Sequence, residues 1–167
     1  SCPPQVPTRD VVVSALEAGK NVVTANKALM ATHGEEVMQL AEKMNRELAF
    51  EASVGGGIPI IDPLKHSLIS NEITSVMGIV NGTTNYMLTR MVDDNLSYDQ
   101  ALKEAQERGF AEADPTADVD GFDAAAKIAI LASIAFNSRV TLDDVHTEGI
   151  RNITQLDLDT ADDMGYV

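Results

Sequence analysis

Helix-like and strand-like segments alternate through the first part of the chain, and this order constrains the fold more than any other feature. Asp10–Ala18 carries an apolar helical face and is followed by Gly19, where a C-terminal cap belongs. The β-branched run Asn21–Thr24 predicts a short buried strand, Thr32–Glu47 predicts a second helix, and Leu48–Val54 predicts a second strand. This order with short connections favours a parallel sheet covered by helices, so we expect a doubly wound α/β fold.

The rest of the chain predicts an α+β region in which helices cover a sheet. The expected helices are Ile60–Ile69, a segment from Thr83 or Thr84 to about Val92, a helix opened by the capping box Ser97–Gln100 and ended by Gly109, and Phe122–Phe136. The expected strands are Glu72–Val80 and Val140–Ile150. Phe110–Gly121 is expected to be a loop, because it is dense in acidic residues.

Charge and composition narrow the classes of function. The chain has 12 Lys and Arg against 26 Asp and Glu, a net charge of −14 that disfavours binding to nucleic acid or to an anionic membrane surface. No apolar run is long enough for a membrane span. The single Cys2 excludes an internal disulfide and a multi-cysteine metal site, and it favours a cytoplasmic location. Because the sequence starts at Ser1, we expect a piece of a longer protein.

The turn Val54–Pro59 contains three consecutive glycines between a predicted strand and a predicted helix. That context suits an anion-binding turn, but a dinucleotide fingerprint would require glycine at Ile60, and a phosphate-binding loop would require Gly-Lys followed by Ser or Thr. The competing interpretation is a tight crossover in which side chains do not fit.

Lys127 interrupts the helix Phe122–Phe136, which is otherwise apolar nearly all round and therefore predicted to be buried. A lysine in such a helix must extend to solvent, pair with an anion or lose its proton. Asp123 precedes it by four residues, on the same face and in the order that favours an ion pair. Two hypotheses remain open: a structural salt bridge, or a proton-transfer lysine held by a carboxylate.

Five carboxylates lie within twelve residues of the acidic loop: Glu112, Asp114, Asp118, Asp120 and Asp123. An EF-hand would require acids where Thr116 and Lys127 stand, which argues against a calcium loop. The loop is then either a solvated acidic surface or a cradle for the ammonium group of an amino-acid-like substrate. Lys27 directly follows the strand Asn21–Thr24, at a position where it meets a cofactor phosphate or is solvated.

Four motifs together resemble the homoserine dehydrogenase family. They are VVTANKAL at 22–29, FEASVGGGIPI at 50–60, GIVNGTTNY at 78–86, and AEADPTADVDGFD at 111–123 leading into Lys127. The motifs stand in the order and spacing of the family, and the resemblance covers about residues 10 to 167. It implies an oxidoreductase that interconverts L-homoserine and L-aspartate 4-semialdehyde with NAD(P)H, in the biosynthesis of threonine, methionine and isoleucine.

The resemblance also implies roles for individual residues. Lys127 matches the catalytic lysine that exchanges the proton of the C4 hydroxyl, and Asp123 would orient it and help bind substrate. Glu112 matches the acid that contacts the substrate amino group, with Asp118 beside it.

Further residues match the substrate loop and the cofactor side of the family site. Gly82 and Thr83 match a loop that contacts the substrate, and Lys27 matches a lysine near the cofactor. In some members, the glycine-rich turn holds Na⁺ or another monovalent cation. The ligands here would be mainly main-chain carbonyls, at Glu51, Val54, Gly56 and Ile58.

One departure from the family pattern defines the expected domain organisation. The G-x-G-x-x-G turn that opens the family's nucleotide domain does not occur in this sequence. We therefore expect residues 1–55 to be the second half of a Rossmann-like domain, 56–150 a catalytic and dimerisation domain, and 151–167 a segment returning to the nucleotide domain. The expected assembly is a homodimer or a dimer-based homo-oligomer acting on a small amino-acid substrate. The alternatives are an inactive dimerising fragment and an acidic cation-binding module.

Overall fold

The structure of the chain, a computed structural model, describes residues 8–166, so Cys2 lies outside the described residues. The chain divides into two units. The first contains the residues up to Met77 together with Ala126–Val145, and the second contains Gly78–Ala125 together with the residues from His146 onward. No helix within residues 8–166 is long and apolar enough to cross a membrane.

A parallel strand pair and the helix that connects its strands organise the first unit. Strand β1 (Val22–Val23) is followed by α2 (Lys27–Lys43) and by β2 (Leu48–Ala49), and α1 (Thr8–Glu17) precedes them. The strands pair in parallel, with Val22 opposite Leu48 and Val23 opposite Ala49. This β-α-β arrangement confirms the predicted α/β class.

Local capping determines where the first two helices begin and end. Gly19 adopts a φ of 75° just beyond α1, as expected of a C-terminal cap. Helix α2 begins at Lys27 rather than at the predicted Thr32, because the side-chain oxygen of Asn26 accepts a 2.9 Å hydrogen bond from the amide of Leu29. Asparagine is a preferred N-cap residue, so the helix extends back to it.

The core of the first unit includes Leu16 of α1, Val37 of α2 and Phe50, which follows β2. The predicted apolar helix is confirmed as α6 (Phe122–Ala135). From Ala126 onward α6 belongs to the first unit, and its buried residues Ala129, Ile130 and Leu131 join this core.

Helices form the second unit within the described residues. They are α3 (Gly82–Asp93), α4 (Tyr98–Glu107), α5 (Thr116–Val119), the start of α6, and α7 (Gln155–Asp163). The predicted capping box opens α4: Gln100 Oε1 accepts from the Ser97 amide at 2.9 Å, and Ser97 Oγ accepts from the Gln100 amide. The core of this unit includes Met87, Met91, Ala101, Ala105 and Val119.

Two strand predictions are wrong. Glu72–Val80 forms no β-ladder with another described segment, and Met77 within it is 93% exposed. Alternation of apolar residues indicates a strand only where a neighbouring strand supplies hydrogen bonds. In place of the strand Val140–Ile150, a 3₁₀ turn at Leu142–Asp144 forms because Asp144 accepts hydrogen bonds from the amide and hydroxyl of Thr141, both at 2.8 Å.

Two further segments differ from their predictions in extent. The helix predicted over Ile60–Ile69 is reduced to a short helical segment that includes a π-helical turn at Pro63–Ser67. The expected loop Phe110–Gly121 contains the single turn α5. The first segment ends in a wider turn, because the amide of Leu68 donates to the carbonyl of Pro63, five residues earlier, at 2.9 Å.

Candidate active site

Asn81 joins two of the predicted site carboxylates. Its Nδ2 atom donates to Asp118 Oδ1 at 2.7 Å and to Asp123 Oδ2 at 2.9 Å. Its Oδ1 atom accepts from the amide of Thr84 at 2.8 Å and thereby caps α3. Asn81 and Asp123 are buried, with exposed fractions of 8% and 6%. The structure therefore brings Asp118 and Asp123 together, as the cradle hypothesis requires.

Two other acids of the loop have structural partners. Asp120 is ion-paired with Arg151, which also donates to the hydroxyl of Thr116 at 3.3 Å. Asp114 accepts hydrogen bonds from the hydroxyl and the amide of Thr116, which lower the pKa of its carboxyl. These contacts hold α5 and the residues before it in place. Asp118 and Asp123 thus contact Asn81, whereas Asp114 and Asp120 contact Thr116 and Arg151.

Two glycines allow the chain around α5 to approach a later segment closely. The amide of Ile150 donates to the carbonyl of Val119 at 2.8 Å. A Cβ atom built on Gly149 would lie 2.3 Å from that same carbonyl oxygen. Gly121 has a φ of 84°, and a Cβ there would lie 2.9 Å from the carbonyl oxygen of Glu148. Side chains at either position would displace backbone next to the site.

The predicted substrate loop at Gly82 and Thr83 is the first turn of α3. Thr83 is buried and its hydroxyl donates to the carbonyl of Phe110 at 2.7 Å. Gln106 donates to the carbonyl of Glu112 at 3.1 Å. The backbone of residues 110–112 is therefore held by hydrogen bonds at both ends. The Glu112 residue itself is exposed, and its carboxylate is accessible to a ligand.

Lys127 lies in the second turn of α6 and is partly buried. Its helical neighbours Ala125, Ala126 and Ala129 are buried. Asp123 occupies the first turn of the same helix, where a negative charge is favourable. Asp123 and Lys127 thus lie on the same helix, four residues apart, as both hypotheses for Lys127 require.

Lys27 is the first residue of α2, directly after the carboxyl end of β1. A cation is unfavourable at a helix N-terminus, whereas an anion is favourable there. Asn26 is held by its own contacts, because its amide donates to Thr24 Oγ1 at 3.1 Å and its side chain caps the helix. The position of Lys27 suits a residue that meets an anionic group.

The carboxylate of Glu51 caps the short helix after the glycine-rich turn. Its two oxygens accept from the amides of Ile60, Ile61 and Asp62 at 2.6, 2.8 and 2.7 Å. Burial raises the pKa of Glu51, but the three hydrogen bonds outweigh burial and hold the pKa below the ordinary value of 4.5. The side chain of Glu51 therefore has a structural role that the sequence did not predict.

Glu51→Gln is expected to lower the free energy of unfolding at neutral pH by about 1 kcal/mol, because glutamine offers one acceptor oxygen where the carboxylate offers two. The folded-state pKa of Glu51 is depressed, so its stabilisation is present above the unfolded value and is lost as the pH falls through the folded one. Urea unfolding at neutral pH and at about pH 3 should show the difference between variant and wild type shrinking at the lower pH. The exposed Glu47→Gln is the matched control. A difference that is equal at both pH values would contradict this account.

The glycine-rich turn presents main-chain oxygens rather than a cluster of acidic side chains. Gly55 and Gly56 have φ values of 76° and 59°, which permit the tight reversal. Within residues 8–166, the carbonyls of Val54, Gly56 and Ile58 accept no backbone hydrogen bond. In the same residues, no group of three or more His, Cys, Asp or Glu side chains is arranged to hold a metal ion. The carbonyls of Val54, Gly56 and Ile58 are therefore among the oxygens of this turn that accept no backbone hydrogen bond from the described residues.

Comparison with protein families supports the resemblance found in the motifs. The family model described as homoserine dehydrogenase matches residues 59–167, which is more than half of the chain. The chain belongs to the homoserine dehydrogenase family. A second model, described as the NAD binding domain of homoserine dehydrogenase, matches residues 2–51.

Curated homoserine dehydrogenases match over nearly the whole chain. The enzyme of Corynebacterium glutamicum is 56% identical over 158 residues, which are 95% of this chain and 36% of the relative. The enzyme of Bacillus subtilis is 51% identical over 159 residues, which are 95% of this chain and 37% of the relative. The chain thus spans little more than a third of the length of these homoserine dehydrogenases.

Solved structures of homoserine dehydrogenases share the fold. The enzyme from Thiobacillus denitrificans matches with a TM-score of 0.93 at 44% identity, covering 97% of this chain and 38% of that chain. The Staphylococcus aureus enzyme at pH 7.5 matches with a TM-score of 0.81 at 40% identity, covering 97% of this chain and 37% of that chain. These matches and the parallel β-α-β arrangement of the first unit agree with the predicted α/β class.

Asn81 is a residue of the candidate site that the sequence did not predict. The motif at 78–86 contained it, but Thr83 or Thr84 was predicted to cap α3. The preference of asparagine for N-cap positions was the available signal for the cap itself. The two contacts with carboxylates 37 and 42 residues away had no local signal.

Proposed function

We propose that the protein interconverts L-homoserine and L-aspartate 4-semialdehyde with NAD(P)H, in the biosynthesis of threonine, methionine and isoleucine. Family membership carries the proposal, because the family model covers both the acidic loop and Lys127. The carboxylates that meet at Asn81 support it, since an amino-acid substrate carries an ammonium group. Glu112 and Asp118 are proposed to bind that group by charge.

The first turn of α3 supports a second substrate contact. The amides of Thr84 and Asn85 donate to the side chain and the carbonyl of Asn81. The amides of Gly82 and Thr83 donate no backbone hydrogen bond within the described residues. Free amides at a helix N-terminus bind anions, so we propose that they receive the substrate carboxylate.

Lys127 is proposed to exchange the proton of the C4 hydroxyl, and Asp123 to orient Lys127. In homoserine oxidation the amine accepts the hydroxyl proton as the carbonyl forms, and in the reverse reaction it returns that proton. A positioned acid–base group contributes about 10² to 10⁴ in rate. The proposal rests on the spacing of the pair along α6 and on the match of this segment to the family.

Lys27 and the β1–α2 connection are proposed to meet the NAD(P) cofactor. The family model for the NAD binding domain covers this connection, and Lys27 lies at the start of α2 beyond a parallel strand. Ligands of open α/β sheets bind at such carboxyl ends of strands. When bound, the nicotinamide accepts or supplies the hydride at C4 of the substrate.

The test is an assay of the chain extended to the length of its relatives. We expect reduction of NAD⁺ or NADP⁺ to depend on L-homoserine, and 4-hydroxybutyrate, which lacks the amino group, to be oxidised poorly. Titration of the 167-residue chain with NADPH separates the enzyme from the inactive dimerising fragment. Absent binding by this chain beside clear binding by the extended form would support the fragment, and no homoserine oxidation by either would refute the proposal.

We also propose that the turn 51–58 binds a monovalent cation such as Na⁺ through the carbonyls of Glu51, Val54, Gly56 and Ile58. The free carbonyls of the last three residues support the proposal, and hard cations prefer oxygen ligands. Melting of the chain in sodium chloride and in tetramethylammonium chloride at equal ionic strength tests it. A higher and saturable melting temperature in sodium is expected, and equal melting temperatures would refute the site.

The assembly and location are proposals of the same kind. We propose a homodimer or dimer-based homo-oligomer in the cytoplasm, with domains at residues 1–55 and 56–150 and a return segment at 151–167. The family models support the division, because one ends at residue 51 and the other begins at residue 59. Exposed apolar side chains at Ile69 and Met77 support an apolar interface, and sedimentation of the chain tests the assembly.

A further inference from the structure

We infer that Asn81 is a positioning residue of the proposed homoserine site, because its single amide group holds Asp118 and Asp123 side by side. The expected effect on substrate binding rests on the proposed function, whereas the hydrogen bonds of Asn81 do not depend on it. Asn81 contacts both carboxylates directly, and it acts on the substrate through them.

The hydrogen-bonding capacity of the Asn81 side chain is fully used. The amide nitrogen donates one hydrogen to each carboxylate, and the amide oxygen accepts from the Thr84 amide at 2.8 Å and from the Thr84 hydroxyl at 2.9 Å. The opposite orientation would turn the oxygen toward two carboxylates and the nitrogen toward the Thr84 amide. Both changes are repulsive, so the contacts determine the orientation of the amide.

Burial increases the energetic importance of the hydrogen bond between Asn81 and Asp123. Asn81 and Asp123 are buried, and the loss of a hydrogen bond to a buried carboxylate is strongly destabilising. Asp118 Oδ1 and Asp123 Oδ2 both lie within 3 Å of Asn81 Nδ2, so the two carboxylate oxygens are at most about 6 Å apart. Like charges at this distance repel each other. A neutral donor between the carboxylates lets both stay close to the place where the substrate ammonium is proposed to bind.

Capping of α3 and positioning of the carboxylates can be separated by substitution. Asn81→Asp keeps an oxygen that caps α3 but replaces the two donors with a third negative charge. Asn81→Ser also keeps a capping oxygen and leaves at most one donor. Asn152→Asp makes the same change of amide to carboxylate at an exposed position of the second unit, and it serves as the matched control.

A double-mutant cycle in the 167-residue chain tests the contact without any assay of activity. Asn81→Asp should lower the urea midpoint, and Asp118→Asn in the same chain should recover at least half of that fall, because it removes one repulsive partner and supplies a new donor. Asn152→Asp should leave the midpoint unchanged. Equal falls with and without Asp118→Asn would overturn the inference. If Asn81→Asp does not fold alone, folding of the double variant is the recovery expected, and failure of both overturns it.

Kinetics of the extended chain test the consequence for substrate. Asn81→Ser should raise KM for L-homoserine about tenfold or more, with KM for the nicotinamide cofactor unchanged, because each lost hydrogen bond to a charged group weakens the substrate contacts. A residue with only a structural role would lower the active fraction, and hence kcat, at constant KM. An unchanged KM for homoserine would overturn the inference. Absence of homoserine oxidation in the wild type would instead refute the proposed function, while the cycle still reports on Asn81.

Discussion

Lys127→Ala is expected to lower kcat for homoserine oxidation by about 10² to 10⁴-fold in the chain extended to the length of its relatives. The amine is the group proposed to take the hydroxyl proton, and alanine offers no substitute. The fold should survive, because Lys127 lies inside α6, where alanine is the residue most favourable to a helix. Steady-state kinetics and circular dichroism of the same preparation separate loss of chemistry from loss of structure.

Lys127→Arg distinguishes proton transfer from charge alone. Arginine keeps the positive charge but stays protonated, so it cannot accept the hydroxyl proton, and its activity should remain close to that of the alanine variant. The exposed Lys103→Ala on α4 is the matched control and should retain the wild-type rate. Substantial activity of Lys127→Arg would reject the proton-transfer role and favour the structural salt bridge with Asp123.

Gly149→Ala is expected to lower the free energy of unfolding by about 2 to 4 kcal/mol. Its Cβ would lie 2.3 Å from the carbonyl oxygen of Val119 and 2.6 Å from the Cα of Asp120, and both are backbone atoms that no side-chain rotation can move. The displaced backbone includes the acceptor for the Ile150 amide. Asp118, which is proposed to bind the substrate ammonium, directly precedes Val119, so the change should also raise the KM for L-homoserine in the extended chain.

Urea unfolding of the 167-residue chain measures the expected loss. Gly78→Ala is the matched control in the same unit, because a Cβ there meets nothing within 4 Å and its φ is not positive. We expect the control to unfold within about 0.5 kcal/mol of the wild type. A Gly149→Ala variant as stable as the control would show that the two segments do not approach as described.

The elements that were predicted correctly are those whose signals lie within a few residues of each other. Ser97 and Gln100 satisfy each other's amides across one helical turn, so the start of α4 could be predicted. Gly19 ends α1 in the same local way. The strand predicted over Glu72–Val80 failed because alternation of apolar residues indicates a face but supplies no pairing partner.

The candidate site shows the same division. Lys127 and Asp123 could be paired from the sequence, since a spacing of four residues places them on one face of a helix. Glu51 was assigned by resemblance to a cation site through its carbonyl, whereas its carboxylate caps amides nine to eleven residues later. The signal for that contact depends on how the glycine-rich turn folds back.

By itself, the sequence determined the α/β class of the first unit, the apolar helix that carries Lys127, and the motifs shared with the homoserine dehydrogenase family. Helical periodicity, capping and motif spacing involve residues that are close in the sequence, so they can be recognised from the sequence alone. Only the tertiary structure decided that Asn81 lies between Asp118 and Asp123. That contact depends on the packing of α3 beside α5 and on the close approach at Gly149, and such distant hydrogen bonds leave no periodic trace in the sequence.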